Sequence, residues 1–137
     1  MKFAKVTFWI AGVWGIAVIT PLFFLLSTAN RLSPPPVTHP EYYYGFTSVA
    51  LAFQLVFLII ASNPERFRPM MIPSVAEKFG YTTVVLLLYS HGRVDARMLL
   101  FGAIDFAFGL AFVIAFLVTQ HKSTNSFAAS SSRSSRF

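Results

Sequence analysis

Asp105 is the residue whose type and setting point most directly to chemistry. It stands about nine residues into an otherwise apolar run late in the chain. An ionisable side chain deep in a membrane helix costs about 2.5–3.5 kcal/mol on insertion scales, so it needs a partner or a function. Gly102 and Gly109 lie three residues before and four residues after it, on the same helix face. We therefore expect Asp105 to point between helices, either in a packing hydrogen bond or in a ligand or proton site.

Gln54 is the predicted partner of Asp105. Counted from Gly45 and from Ala96, where two apolar runs begin, both side chains fall roughly 13 Å below the same end of a helix bundle. We therefore predict a Gln54–Asp105 hydrogen bond, which would contribute about 0.6–2 kcal/mol inside a membrane.

Lys78 and Thr82 are the other candidates for the same interior site. Lys78 starts near the opposite end of its run, so direct pairing with Asp105 would need helix tilt or a bridging water. The simpler interpretation is that Lys78 extends to the lipid headgroups, while Glu77 completes a Ser-x-x-Glu capping box with Ser74. Thr82 either lines the interior or bonds its own helix backbone. The predicted ligand-binding set is Asp105, Gln54, Lys78 and Thr82.

Four apolar runs must position these side chains. The 137 residues are 55% hydrophobic and 12% charged, whereas soluble domains are about 45–50% apolar and about 25% charged. The runs cover 6–26, 45–62, 74–90 and 96–119, and at about 1.5 Å per residue each can cross a hydrocarbon core with modest tilt. We predict an all-α fold, an antiparallel bundle of four transmembrane helices within residues 1–119. A disordered Ser-rich tail should follow at 120–137.

The connections between the runs are expected to lie at the membrane surface. The first, 27–44, contains Pro34, Pro35 and Pro36, which predicts extended polyproline rather than helix. It ends in three tyrosines suited to the headgroup level.

The positive charges predict the orientation of the bundle. Placing both termini in the cytoplasm gives seven Lys and Arg on that side and three on the other, which satisfies the positive-inside rule. The cytoplasmic set is Lys2, Lys5, Arg66, Arg68, Lys122, Arg133 and Arg136, against Arg31, Arg93 and Arg97 outside. A cleaved signal peptide ending near 27–29 is the alternative for the first run, although its 21 uncharged residues exceed the usual h-region of about 7–15.

Several classes of site are excluded or disfavoured by the residues present. The chain has no cysteine, which excludes disulfides, thiolate catalysis and iron–sulfur clusters. The net charge of +6 is scattered over termini and loops, which indicates contact with anionic lipid headgroups rather than nucleic acid. His39 and His91 could assemble a metal or haem site between loops, but neither stands in a ligand-spacing motif, so we predict no metal or cofactor. Trp14, between Gly12 and Gly15, is expected to pack inside the bundle.

One set of motifs runs along the chain: the Pro-Glu-Tyr-Tyr-Tyr-Gly-Phe entry at 40–46, Gln54, the Pro-Glu-Arg-Phe-Arg-Pro loop at 64–69, the Glu77-Lys78 pair, and Asp105 with Phe112. In these motifs the chain resembles a group of small uncharacterised bacterial membrane proteins, and the resemblance covers most of residues 6–119. It implies a bacterial inner-membrane location and four helices. It brings no activity and no site residues.

Three functions remain open from the sequence. The first is a non-enzymatic accessory protein that acts through helix packing, alone, as a homodimer or with another membrane protein. The second is a small transporter or lipophilic-ligand binder with a site at Gln54 and Asp105. The third is a membrane-embedded enzyme acting on a lipid or isoprenoid, which requires two convergent ionisable groups around one cavity.

Overall fold

The part of the chain that the structure describes is mainly helical. The computed structural model describes residues 2–32 and 34–134, with side chains as far as Thr119. The elements in chain order are α1 (Lys2–Ile19) with a 3-10 extension (Thr20–Phe24), α2 (Leu26–Leu32), α3 (Pro40–Ser62), a 3-10 turn (Arg68–Met70), α4 (Met71–Ser90) and α5 (Arg97–Ser134). The described residues contain no strand, so the predicted all-α class with four long apolar helices is confirmed.

Four helical stretches are long and apolar enough to cross a membrane. They are Lys2–Phe24, Pro40–Ser62, Arg68–Ser90 and Arg97–Thr119, each 23 residues long. Only 22–33% of the residues in their most apolar windows are buried inside the protein. Large apolar side chains therefore cover the lateral surface, with Leu100 64% exposed and Trp9 58% exposed. Such a surface suits hydrocarbon rather than water.

Helices α3 and α4 begin earlier in the chain than predicted. A proline is the first residue of α3, and the serine predicted to cap α4 lies inside that helix. Pro40 is the first residue of α3, where its missing N–H costs nothing, so this helix begins five residues before the predicted Gly45. The connection 27–44 is therefore not wholly extended, since α2 occupies Leu26–Leu32. The capping box is wrong: α4 already begins at Met71, and Ser74 Oγ donates to the Met70 carbonyl at 2.7 Å.

The helices associate as two pairs. The α1 helix packs mainly on α3, and α4 packs mainly on α5, while α1 also contacts α5 and so joins the pairs. Few residues of α3 and α4 meet directly. This arrangement leaves room between the two pairs in one part of the bundle.

A phenylalanine core closes the other part of the bundle. The ring centroids of Phe8 and Phe112 are 4.1 Å apart in a stacked arrangement, and Phe57 meets Phe112 edge-on at 5.0 Å. All three rings are fully buried, together with Ile60 and Met71. Rings in these geometries contribute about 0.5–1.5 kcal/mol per pair beyond the area they bury. This core fixes α1, α3 and α5 at the end where the chain begins.

The last helix continues as backbone to Ser134, past the predicted end of the fourth span at Thr119. The predicted Ser-rich disordered tail, 120–137, lies outside the residues whose side chains the structure describes. That tail stays a prediction.

Candidate ligand-binding site

Lys78 joins two carboxylates inside the bundle. Its Nζ lies 3.1 Å from Asp105 Oδ1 across the α4–α5 contact, and Asp105 accepts a hydrogen bond from it. Glu77 accepts a long hydrogen bond of 3.5 Å at Oε1, and its Oε2 stands 3.3 Å from Nζ without hydrogen-bond geometry. The Lys78 side chain is 8% exposed, against 20% for Glu77 and 19% for Asp105. We call these three side chains the Lys78 cluster.

The predicted extension of Lys78 to the headgroups is wrong. Of the two expected routes to Asp105, helix tilt or a bridging water, the water is not needed, since Nζ bonds Asp105 Oδ1 directly at 3.1 Å. Because α4 begins at Met71 rather than Ser74, three additional residues place Lys78 roughly 4.5 Å deeper than predicted. The flexible four-carbon stem covers the remaining distance to Asp105. A buried ammonium without a carboxylate is strongly destabilising, so this pairing determines where the side chain points.

Small residues let α5 approach α4 beside the cluster. A Cβ atom added to Gly102 would lie 3.3 Å from the Val85 side chain, and one added to Gly109 would lie 3.0 Å from the Phe79 ring. The predicted glycine face around Asp105 is therefore confirmed as a helix contact. It turns the carboxylate toward α4 and away from lipid.

The predicted hydrogen bond between Gln54 and Asp105 is wrong. Gln54 Nε2 donates to the Ala50 carbonyl of its own helix at 2.9 Å. That bond fixes the orientation of the amide, because the reversed amide would set two oxygens against each other. The side chain lies against Gly15 of α1, where an added Cβ would overlap the Gln54 amide. Gln54 is 1% exposed, and its Oε1 receives no hydrogen bond from a described residue.

A cleft of about 290 Å³ opens between the two helix pairs. Gln54 and the Lys78 cluster stand on its wall, although Gln54 and Asp105 do not bond to each other. Most of the remaining wall is apolar and aromatic, contributed by Trp14, Phe46, Tyr81, Phe101 and Phe108. Ligand pockets typically measure about 300–1,000 Å³ and combine apolar walls with a few convergent polar groups. The cleft matches that composition at the small end of the range.

Thr82 lies at the helix contact rather than on the wall of the cleft. Its hydroxyl donates one hydrogen shared between the Lys78 carbonyl at 2.9 Å and the Gly102 carbonyl at 3.1 Å. The bond to its own helix was one of the two expectations for this residue, and the bond to α5 was not anticipated. Thr82 is 7% exposed and therefore supports the backbone just beside Lys78.

The sequence did not predict that two aromatic residues, Trp14 and Tyr81, line the cleft. Trp14 was expected inside the bundle but is 47% exposed and lines the cleft. Tyr81 stacks on Phe46 with ring centroids 6.1 Å apart. The spacing of Tyr81 from Lys78, three residues along α4, is the signal that could have shown that both share a face.

The histidines of the two loops each contact a residue that is close to them in sequence. His39 Nδ1 is 2.9 Å from Glu41 Oε1, and His91 Nδ1 is 2.7 Å from the Leu87 carbonyl. Among the described residues, no group of three or more His, Asp or Glu side chains has the arrangement of a metal site.

Comparison with known proteins gives no relative for this chain. No family model matches it, and no curated protein or solved structure shows significant similarity. Its function is therefore inferred from the geometry of the cleft, and the resemblance to bacterial membrane proteins stays a prediction.

Proposed function

We propose that this membrane protein binds a small lipophilic molecule in the cleft between its two helix pairs. One observation carries the proposal: the Lys78 cluster and the buried Gln54 stand on the wall of an apolar cleft of about 290 Å³. Apolar and aromatic walls hold a hydrocarbon or ring system, and the few polar groups orient its polar end. Ionisable groups within membrane helices commonly mark ligand or ion pathways.

A helix-packing accessory role is the second candidate. It is favoured by the direct Lys78–Asp105 bond, which joins α4 to α5, and by the fit of Gln54 against Gly15, which joins α1 to α3. In that role the cleft would accept a lipid tail or a helix of a partner, either a second copy or another membrane protein. Occupancy by a small molecule distinguishes the two roles.

The membrane setting is part of the proposal. We place the chain in a bacterial inner membrane as a multi-pass protein with both termini in the cytoplasm, which the seven-to-three distribution of Lys and Arg supports. The order of contacts between α4 and α5 supports antiparallel helices, since Lys78 meets Asp105 while the later Val85 meets the earlier Gly102. Basic residues at the cytoplasmic end would contact anionic headgroups.

Filling the cleft tests the binding role without touching a polar group. Ala50 lines the cleft and is 7% exposed, so Ala50→Phe would occupy part of the space. Val49 is 60% exposed on the lipid side of the same helix, so Val49→Phe adds the same ring outside. Native mass spectrometry should find a bound small lipophile on the purified wild type and on Val49→Phe, and little or none on Ala50→Phe.

Circular dichroism confirms that both variants keep their helices. An empty wild type, or equal occupancy in both phenylalanine variants, would contradict the binding role and favour the accessory role.

A further inference from the structure

We infer that the cleft selects amphiphiles with a cationic ammonium headgroup over those with an anionic headgroup. The inference rests on the proposed binding function and names the class of its ligand. It follows from the charge balance, the hydrogen-bonding groups and the aromatic content of the wall.

The charge balance of the wall is the first argument. Among the described residues that line the cleft, the charged side chains are the three of the Lys78 cluster. Two carboxylates against one ammonium leave one negative charge when all three are ionised. The Lys78 ammonium is already held at 3.1 Å by Asp105 and at 3.3 Å by Glu77. A phosphate or carboxylate headgroup would therefore meet net repulsion, whereas an ammonium would supply the missing positive charge.

The hydrogen-bonding groups favour a donor for the same reason. Lys78 already donates to both carboxylates of its cluster. The Glu77 and Asp105 side chains keep 20% and 19% of their surface exposed, so both carboxylates can accept a further hydrogen bond from the cleft. An ammonium headgroup donates such a bond, whereas a carboxylate headgroup can only accept.

The aromatic wall supplies a second attraction for a cation. Trp14, Tyr81 and Phe108 line the cleft together with the Lys78 cluster. A cation within about 6 Å of an aromatic face is attracted by the ring quadrupole, most strongly when it is shielded from water. Lys78 already shows such a contact, since its Nζ lies 5.3 Å from the centroid of the Phe57 ring.

Tryptophan fluorescence tests the headgroup preference, because the chain has two tryptophans and only Trp14 lines the cleft. In Trp9→Phe, reconstituted full-length in nanodiscs of zwitterionic lipid, Trp14 is the sole reporter. The probes are octylamine, octan-1-ol and sodium octanoate at pH 7, which share a chain length and differ in headgroup charge. Octylammonium should give a saturable change in Trp14 emission at a concentration at least tenfold below that needed for octanoate.

Two kinds of variant control the experiment. In Trp14→Phe the remaining Trp9, which is 58% exposed and does not line the cleft, reports probe binding outside the cleft, including partition into the bilayer. Asp105→Asn and Glu77→Gln each remove the excess negative charge while keeping side-chain shape. Either should reduce the preference for octylammonium over octanoate from at least tenfold to about twofold or less, with octan-1-ol as the uncharged reference.

The possible results distinguish the proposed binding function from the proposed headgroup preference. If no probe changes Trp14 emission beyond the partition seen at Trp9, the binding function itself fails. If the probes bind but octanoate binds as tightly as octylammonium, binding stands and the headgroup preference is wrong. A preference that persists unchanged in both Asp105→Asn and Glu77→Gln would also overturn it, because the excess charge would then not be its cause.

Discussion

The Lys78 cluster holds one ammonium and two carboxylates inside the protein. Burial costs free energy for each of these charges, and the attraction between the ammonium and the carboxylate on either side of it offsets that cost. Asp105 makes the shorter contact, at 3.1 Å, and comes from another helix. Glu77 is adjacent in sequence and keeps a carboxylate near the ammonium whatever the α4–α5 distance. Glu77 should therefore act as a reserve partner for Lys78.

This redundancy predicts non-additive losses of stability. Asp105→Asn alone should lower the free energy of unfolding by about 1–2 kcal/mol, in the range of polar contacts between membrane helices. Glu77→Gln alone should cost a similar amount or less. The double variant should cost more than the sum of the two single losses, up to about 5 kcal/mol, since it leaves a buried ammonium with no carboxylate. Steric-trap or detergent unfolding of the three variants measures these values, and simple additivity would show that the carboxylates act independently.

The sequence predicted that Asp105 and Gln54 lie inside the bundle, but not which residues they contact. The burial of Asp105 and its glycine face followed from charge in an apolar run and from helical spacing. The prediction of Gln54 as the partner of Asp105 was wrong. The residue count gives the depth of a side chain along its helix, but packing between helices decides which direction that side chain faces around the helix axis. Gln54 turns to Gly15 since α3 pairs with α1, and nothing in a single sequence specifies that pairing.

At the scale of the helices, the sequence predicted that four long helices exist but did not predict the residues at which they begin. All four long apolar helices were predicted, because long runs with so few charges have few other stable states. The start of α4 was misplaced since Ser74 bonds backward to a carbonyl instead of capping. The true cap of α5 was missed: Asp95 Oδ1 accepts the Arg97 backbone N–H at 2.9 Å. A side-chain hydrogen bond from Arg97, with this backbone bond, lowers the pKa of Asp95 below its ordinary value.

The contact between α1 and α3 depends on the absence of a side chain at Gly15. Gly15→Ala should cost about 1–3 kcal/mol of stability, because the added methyl overlaps the Gln54 amide and must displace it. Gly45→Ala is the matched control, since a Cβ there meets nothing within 4 Å, and it should be neutral or stabilising by up to about 1 kcal/mol. Detergent unfolding followed by circular dichroism provides the comparison.

A second substitution should restore the stability that Gly15→Ala removes. In the Gly15→Ala background, Gln54→Ala removes the overlapping amide and should recover most of the lost stability. If the second substitution makes the protein still less stable, Gln54 acts through an interaction other than its fit against Gly15.

The whole molecule divides into a closed half and an open half. The stacked phenylalanines Phe8, Phe57 and Phe112 fill the space between helices at the end where the chain begins. Beyond them, the few contacts between α3 and α4 leave the cleft between the pairs. Lys78 stands between these regions, touching the Phe57 ring on one side and lining the cleft on the other. The packed phenylalanines therefore hold Lys78 at the edge of the cleft, where the proposed ligand would meet it.

The proposed orientation of this molecule is testable with clean reagents, because the chain has no cysteine of its own. Thr38→Cys lies in the exposed segment before α3, and Glu65→Cys lies in the exposed segment after it, so α3 must cross the membrane between them if it spans. With both termini cytoplasmic, a membrane-impermeant maleimide should label Thr38→Cys in bacterial spheroplasts and leave Glu65→Cys unlabelled until the membrane is permeabilised. Inverted vesicles should give the opposite pattern. Labelling of both sites from one side would mean that α3 does not span, and the reverse pattern would place both termini outside.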